Sequence, residues 1–184
     1  MRAFFSIGLS EETKSGLRAF TGGINCGLNW VPGENLHVTL RFLGETDEKL
    51  LENIYLAAKQ ALAGSRCFTM GAGTVGFFPD SGHPKVFWAG VVEGQEKVSQ
   101  IYSLIEACVA GSVPEPQAGM VYVPHVTLAR IKKPSAGKRL VKETREKMGV
   151  FFGSTQVDGI EIMKSVFGSG GPQYTAVYRI PLIK

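Results

Sequence analysis

The chain has 184 residues, 44% of them hydrophobic, with a formal charge of +4 and an isoelectric point near 9.0. That is enough apolar material for one globular domain, or two small lobes sharing a cleft, and it excludes a disordered chain. No apolar run approaches the roughly 20 residues of a membrane span, and a mildly basic balance permits an anionic partner without demanding one.

Residues 2–9 read as a first strand. The run Met1-Arg2-Ala3-Phe4-Phe5-Ser6-Ile7 is too short for a secretory leader and lacks a small-residue cleavage site. Ser10 can cap a helix whose first turn carries Glu11 and Glu12, with Leu17 and Phe20 as its apolar face and Gly22-Gly23 as its end. After a turn at Pro32-Gly33 comes a strand from Glu34 to Gly44. Thr46 is expected to cap a second helix through about Ala63, burying Leu50, Ile54, Ala57, Ala61 and Leu62, with Gly64 closing it. Residues 66–78 are extended and glycine-rich, as where a strand bends or bulges. The breaker Pro79-Asp80-Ser81-Gly82-His83-Pro84 restarts the order: a strand over Lys85–Val92 and a helix over 95–110 with Val98, Ile101, Tyr102, Ile105 and Val109 inward. A strand over 121–131 and a basic helix from about Gly137 to Met148 come next. Extended segments close the chain, joined by a loop at Gly168–Pro172. Cys26, Cys67 and Cys108 are odd in number and far apart, which suits reduced thiols in a cytoplasm.

The order strand, helix, strand, helix, strand thus occurs twice, and the middle strand of each unit carries the same tetrapeptide. His37-Val38-Thr39-Leu40 returns as His125-Val126-Thr127-Leu128, holding two of only three histidines in the chain. Alternation puts Leu36, Val38, Leu40 and Phe42 on one face of the first motif strand and His37, Thr39 and Arg41 on the other. Core packing alone would repeat the apolar positions; here the polar positions repeat as well. A duplicated α+β unit brings the two motif strands together over a shared cleft. His83, in a Gly-His-Pro loop with no echo, reads as a surface residue.

The chemistry emerges by comparing what each mechanism needs. A catalytic zinc usually takes three protein ligands, and neither His-x-x-x-His nor Cys-x-x-Cys is present, so no metal is expected. No Gly-x-Ser-x-Gly elbow marks a nucleophile, and glycines 71, 73 and 76 lack the Gly-Lys-Ser/Thr of a phosphate loop. Acid–base work on a phosphoryl group remains. Two imidazoles with ordinary values near 6.5 can hold opposite protonation states at neutral pH, and each threonine hydroxyl can donate to a non-bridging oxygen.

The chain resembles the RNA 2′,3′-cyclic phosphodiesterase family, also called RNA 2′-5′ ligases, of the 2H phosphoesterase superfamily. The resemblance is carried by Ala3–Ile7, by Trp30 through Glu45, and by Gly76-Phe77-Phe78-Pro79. Val86-Phe87-Trp88-Ala89-Gly90, Pro124 through Arg130 and Gly171-Pro172-Gln173-Tyr174 complete it. It implies one domain over 1–184 made of two pseudo-symmetric lobes, with antiparallel sheets lining a central cleft and helices outside. It implies cofactor-free hydrolysis of RNA 2′,3′-cyclic phosphate ends to 2′-phosphomonoesters, with His37 as proton donor, His125 as proton acceptor, and Thr39 and Thr127 on the phosphate. Small cyclic nucleotides and tRNA fragments are expected substrates of a monomer that meets no membrane. Two alternatives stay open: 2′-5′ ligation of tRNA halves, and a non-catalytic protein that binds RNA ends. Arg130 belongs to the second motif, but strict alternation turns it away from His125 unless a bulge swings it round. The basic stretch from Arg130 to Lys147 is either a track for an RNA backbone or a solvated helix face. No paired aromatics of a base-stacking signature are evident, so the RNA's sequence preference is unreadable.

Overall fold

The computed structural model describes residues 1–80, 82–115, 121–168 and 171–184. It is an α+β fold in which β1 (Arg2–Gly8), β2 (His37–Glu45), β3 (Phe68–Phe78), β4 (Val86–Glu93), β5 (His125–Arg130), β6 (Phe151–Val157), β7 (Gly159–Gly168) and β8 (Gly171–Pro181) join in one sheet. The order is β6-β3-β4-β5-β2-β1-β7-β8, and the neighbouring strands run antiparallel. Four helices accompany it: α1 (Glu11–Gly22), α2 (Glu48–Ala61), α3 (Gln95–Val109) and α4 (Pro134–Thr144). None is long and apolar enough to cross a membrane.

The motif strands β2 and β5 are neighbours at the middle of the sheet, touching through a single paired position, Val38 with Val126. Both valines are fully buried and face the core. Each half of the sheet then builds outward, β1-β7-β8 on one side and β4-β3-β6 on the other. β3 follows the first unit in sequence yet pairs with β4 of the second, and α1 packs against β6. The halves are therefore woven from both units rather than folded side by side.

Several local readings shift, each for a physical reason. Ser10 does cap α1, its Oγ accepting from the Thr13 amide at 3.2 Å. α2 is capped by Asp47, which accepts from the Leu50 amide at 2.7 Å, and not by Thr46, whose hydroxyl donates to the Met1 carbonyl at 3.1 Å. Its buried seam runs through Leu51, Ile54, Ala58 and Leu62, one straight row at spacings of three and four. β5 starts only at His125, since Pro124 has no N–H for a ladder and the Val123 carbonyl is occupied by the His125 ring. The basic helix begins earlier, with Pro134 in its first turn, and tightens into a 3-10 turn at Arg145–Lys147. The last hairpin joins β7 to β8 where expected; Ser169 and Gly170 of its loop, like Ser81 of the earlier breaker, lie outside the described residues.

Candidate active site

The Val38–Val126 pairing fixes the geometry of the four polar motif residues. In an antiparallel pair, residues one step either side of a paired position stand opposite each other on the other face. His37 is thereby set across from Thr127, and Thr39 across from His125. All four half-buried side chains share the face away from the core.

Each ring is oriented in the same way. His37 Nδ1 donates to the Asn35 carbonyl and His125 Nδ1 to the Val123 carbonyl, both at 2.7 Å. A carbonyl can only accept, so each Nδ1 carries a proton in either charge state and Nε2 is the nitrogen free to exchange one. His37 Nε2 lies 3.0 Å from the Thr39 hydroxyl. Burial holds both imidazoles below their ordinary value; the carbonyls oppose this, while the opposite histidine adds to the lowering at His37 and the Arg130 charge adds to it at His125. Two main-chain carbonyls two residues upstream have no sequence signature, and these orienting groups escape any reading of side chains.

Aromatic rings wall the two imidazoles. Phe4 stacks on His37 with centroids 4.9 Å apart, and Tyr174 meets it edge-on at 5.3 Å. Phe78 meets His125 edge-on at 5.0 Å, with Trp88 at 6.2 Å. The indole lies against Gly76 of β3, where a Cβ would clash with carbons of its six-membered ring, so glycine is what lets the ring lie down beside His125. Tyr122 closes the side near α3: its hydroxyl donates to the Thr39 carbonyl at 3.0 Å and its ring stacks on Tyr102 at 4.0 Å.

Plain alternation fails just after each threonine. In β2, Thr39 pairs with Ser6 and Arg41 with Phe5, leaving Leu40 as an extra residue; in β5, Thr127 pairs with Trp88 and Ala129 with Phe87, leaving Leu128 extra. Each is a bulge, which turns two successive residues to one side and resets the alternation of the remaining strand. Arg41 is therefore not beside His37. It turns toward α3, where its Nε meets Glu106 and its Nη2 donates to the Pro114 carbonyl at 2.6 Å. Phe42, expected in the core, is 59% exposed, and Leu43 is buried in its place. The same reset brings Arg130 to the face of His125 and Thr127, and its charge is felt at both His125 and Tyr174. His83 is exposed in its loop. Among the described residues no three or more His, Cys, Asp or Glu gather as a metal-holding group.

A family model, the 2′-5′ RNA ligase superfamily, matches residues 18–166. The chain belongs to that superfamily. Among its members, the RNA 2′,3′-cyclic phosphodiesterase of Aeropyrum pernix is 36% identical over 82% of this chain and 84% of its own. That of Aquifex aeolicus is 33% identical over 80% and 78%. A solved structure from Thermus thermophilus superposes with a TM-score of 0.77 at 27% identity, covering 99% of this chain and 98% of the other. The fold is also that of E. coli LigT complexed with 3′-AMP, with a TM-score of 0.78 at 23% identity over 100% and 98% of the two chains. The superfamily membership agrees with the resemblance carried by the duplicated motif and its flanks.

Proposed function

We propose that this chain hydrolyses the 2′,3′-cyclic phosphate ends of RNA to 2′-phosphomonoesters, by acid–base catalysis from two histidines without a metal ion. The observation that supports the reading is the crossed pairing of motifs, which sets both histidines on one face of the sheet, each opposite the other motif's threonine, with each Nδ1 held by a carbonyl so that Nε2 is the exchanging nitrogen. The relatives named RNA 2′,3′-cyclic phosphodiesterases supply the substrate class. A cyclic phosphate has no free neighbouring hydroxyl, so water attacks phosphorus and His125 Nε2 takes its proton. The P–O3′ bond breaks on the opposite side, and O3′ leaves with the proton of His37 Nε2. Thr39 and Thr127 hold the non-bridging oxygens as charge builds on them, and Arg130 adds a fixed cation on the same face. The direction of proton flow rests on the family resemblance, since the two motifs are alike. The chain reads as one domain over 1–184 with two pseudo-symmetric lobes: the repeated order of elements and the matching bulge after each threonine support that.

The test is turnover of an RNA oligomer ending in a 2′,3′-cyclic phosphate, in excess EDTA, with the position of the product phosphate identified. Hydrolysis to the 2′-phosphate should persist under chelation, and His37→Ala or His125→Ala should each lower kcat by at least about 10²-fold. A nitrophenyl phosphodiester, whose leaving group needs little protonation, should rescue His37→Ala more than His125→Ala. Activity lost in EDTA and restored by zinc or manganese would sink the metal-free mechanism. Binding of the oligomer with no turnover in either direction would favour the non-catalytic reading.

A further inference from the structure

We propose that Tyr122 is a positioning residue for Thr39: by holding the Thr39 carbonyl it fixes where that threonine presents its hydroxyl to the phosphate. This rests on the function proposed above and adds a residue that lies in neither motif. The Tyr122 hydroxyl donates to the Thr39 carbonyl at 3.0 Å. Tyr122 stands three residues before His125 and belongs to the approach to the second motif, yet it binds the backbone of the first. Its neighbour Val123 offers its carbonyl to the His125 ring. Two adjacent residues therefore orient one motif's histidine and the other motif's threonine.

Thr39 needs such a hold. β2 and β5 are paired at Val38–Val126, and the bulge at Leu40 follows Thr39 directly. The ladder is thus interrupted toward β5 and toward β1 just where the hydroxyl must be placed. A misplacement of about 1 Å in a reacting site can cost on the order of 10²-fold in rate. Tyr122 is itself well fixed. Its ring stacks on Tyr102 of α3 with centroids 4.0 Å and planes 4° apart, and α3 is tied back to β2 by the Arg41–Glu106 ion pair. Burial holds the Tyr122 hydroxyl well above the ordinary phenol value, with Tyr102 adding to the rise, so it stays a donor wherever an imidazole titrates. A phenylalanine would fill the same space; what the hydroxyl adds is the bond to Thr39. At the matching position before the first motif stands Glu34, exposed in a 3-10 turn, and a carboxylate cannot donate. The tether therefore serves Thr39 and has no counterpart from Glu34 at Thr127.

The experiment compares wild type, Tyr122→Phe, Thr39→Val, Thr127→Val and the two double variants that combine Tyr122→Phe with each threonine change. The substrate is an RNA oligomer ending in a 2′,3′-cyclic phosphate. Tyr122→Phe should lower kcat by about tenfold with KM little changed. In the Thr39→Val background it should lower kcat no further, while in the Thr127→Val background it should again cost about tenfold. A second measurement needs no turnover: three-bond couplings of the threonine methyl carbons in labelled protein, with the Thr39 and Thr127 signals identified from their valine variants. Thr39 should hold one rotamer in wild type and average over several in Tyr122→Phe, with Thr127 unchanged. Thermal melts separate this from a general loss of stability. A lower midpoint with kcat per folded molecule unchanged, or equal losses in both threonine backgrounds, would overturn the tether. If wild type turned over no RNA, the hydrolytic reading would fall, and the couplings would still decide whether Tyr122 positions Thr39.

Discussion

His37 and His125 each commit Nδ1 to a main-chain carbonyl, which leaves Nε2 as the nitrogen able to exchange a proton, and both are held below the ordinary imidazole value chiefly by burial. The sign of this has a kinetic reading. On the proposed mechanism one histidine must carry a proton, and in the free protein it loses that proton at a lower pH than usual. The alkaline limb of kcat/KM should therefore lie on the acid side of about 6.5. On the proposed mechanism an anionic phosphate would lie between the rings in the complex and favour their charged forms, so the alkaline limb of kcat should lie at higher pH than that of kcat/KM. Rate profiles between pH 4.5 and 9 separate the two, and a kcat/KM limb above pH 7 would contradict the arrangement. The same shifts act on stability. A histidine whose value is depressed by folding contributes its stabilisation above the unfolded value near 6.5, and that contribution is lost as pH falls through the folded value.

Ser10 shows how an element is anchored. Its hydroxyl accepts from the Thr13 amide and lies 2.8 Å from the Ser154 carbonyl, while its amide donates to the Thr155 hydroxyl at 3.0 Å, so one residue caps α1 and ties it to β6. Ser10→Ala should cost about 1 kcal/mol or more, read as a lower denaturation midpoint, with activity per folded molecule unchanged. A midpoint equal to wild type would mean that the cap adds nothing. The cap itself was legible from Ser10 and the two glutamates after it, as was the buried seam of α3. The motif strands were legible only as far as their threonines. Their alternation holds through Thr39 and Thr127 and then breaks, because a bulge leaves no mark in a run such as Leu40-Arg41-Phe42 where every residue has a plausible place on either face. One extra residue in each strand, Leu40 and Leu128, exchanges Arg41 for Phe42 on the histidine face and brings Arg130 to it. Asp47 was missed as a cap because Thr46 beside it is equally able to cap; only the tertiary bond of Thr46 to the Met1 carbonyl decides between them.

At the scale of the molecule, charge is uneven. Arg130, Lys132, Lys133, Lys138, Arg139, Lys142, Arg145 and Lys147 are all exposed, while Gly137, Leu140 and Thr144 anchor the inner side of α4. If this stretch follows an RNA backbone, binding of a ten-nucleotide oligomer should weaken steeply between 50 and 200 mM salt, while a cyclic mononucleotide changes far less. Equal slopes would make α4 a solvated face. The two histidines also stand on either side of the line where the sheet is joined by one paired position. A joint of one registered pair is expected to be compliant, and the separation of the two imidazoles would then depend on how stiff the whole sheet is. An anion bridging both motifs would act as a brace. Inorganic phosphate should slow hydrogen exchange in peptides covering β2 and β5 more than in those covering β7 and β8, and uniform exchange with and without phosphate would show the joint to be rigid already. A compliant joint means that catalytic rate can be tuned from a distance, by whatever stiffens or loosens the two leaves, with every residue of the site left in place.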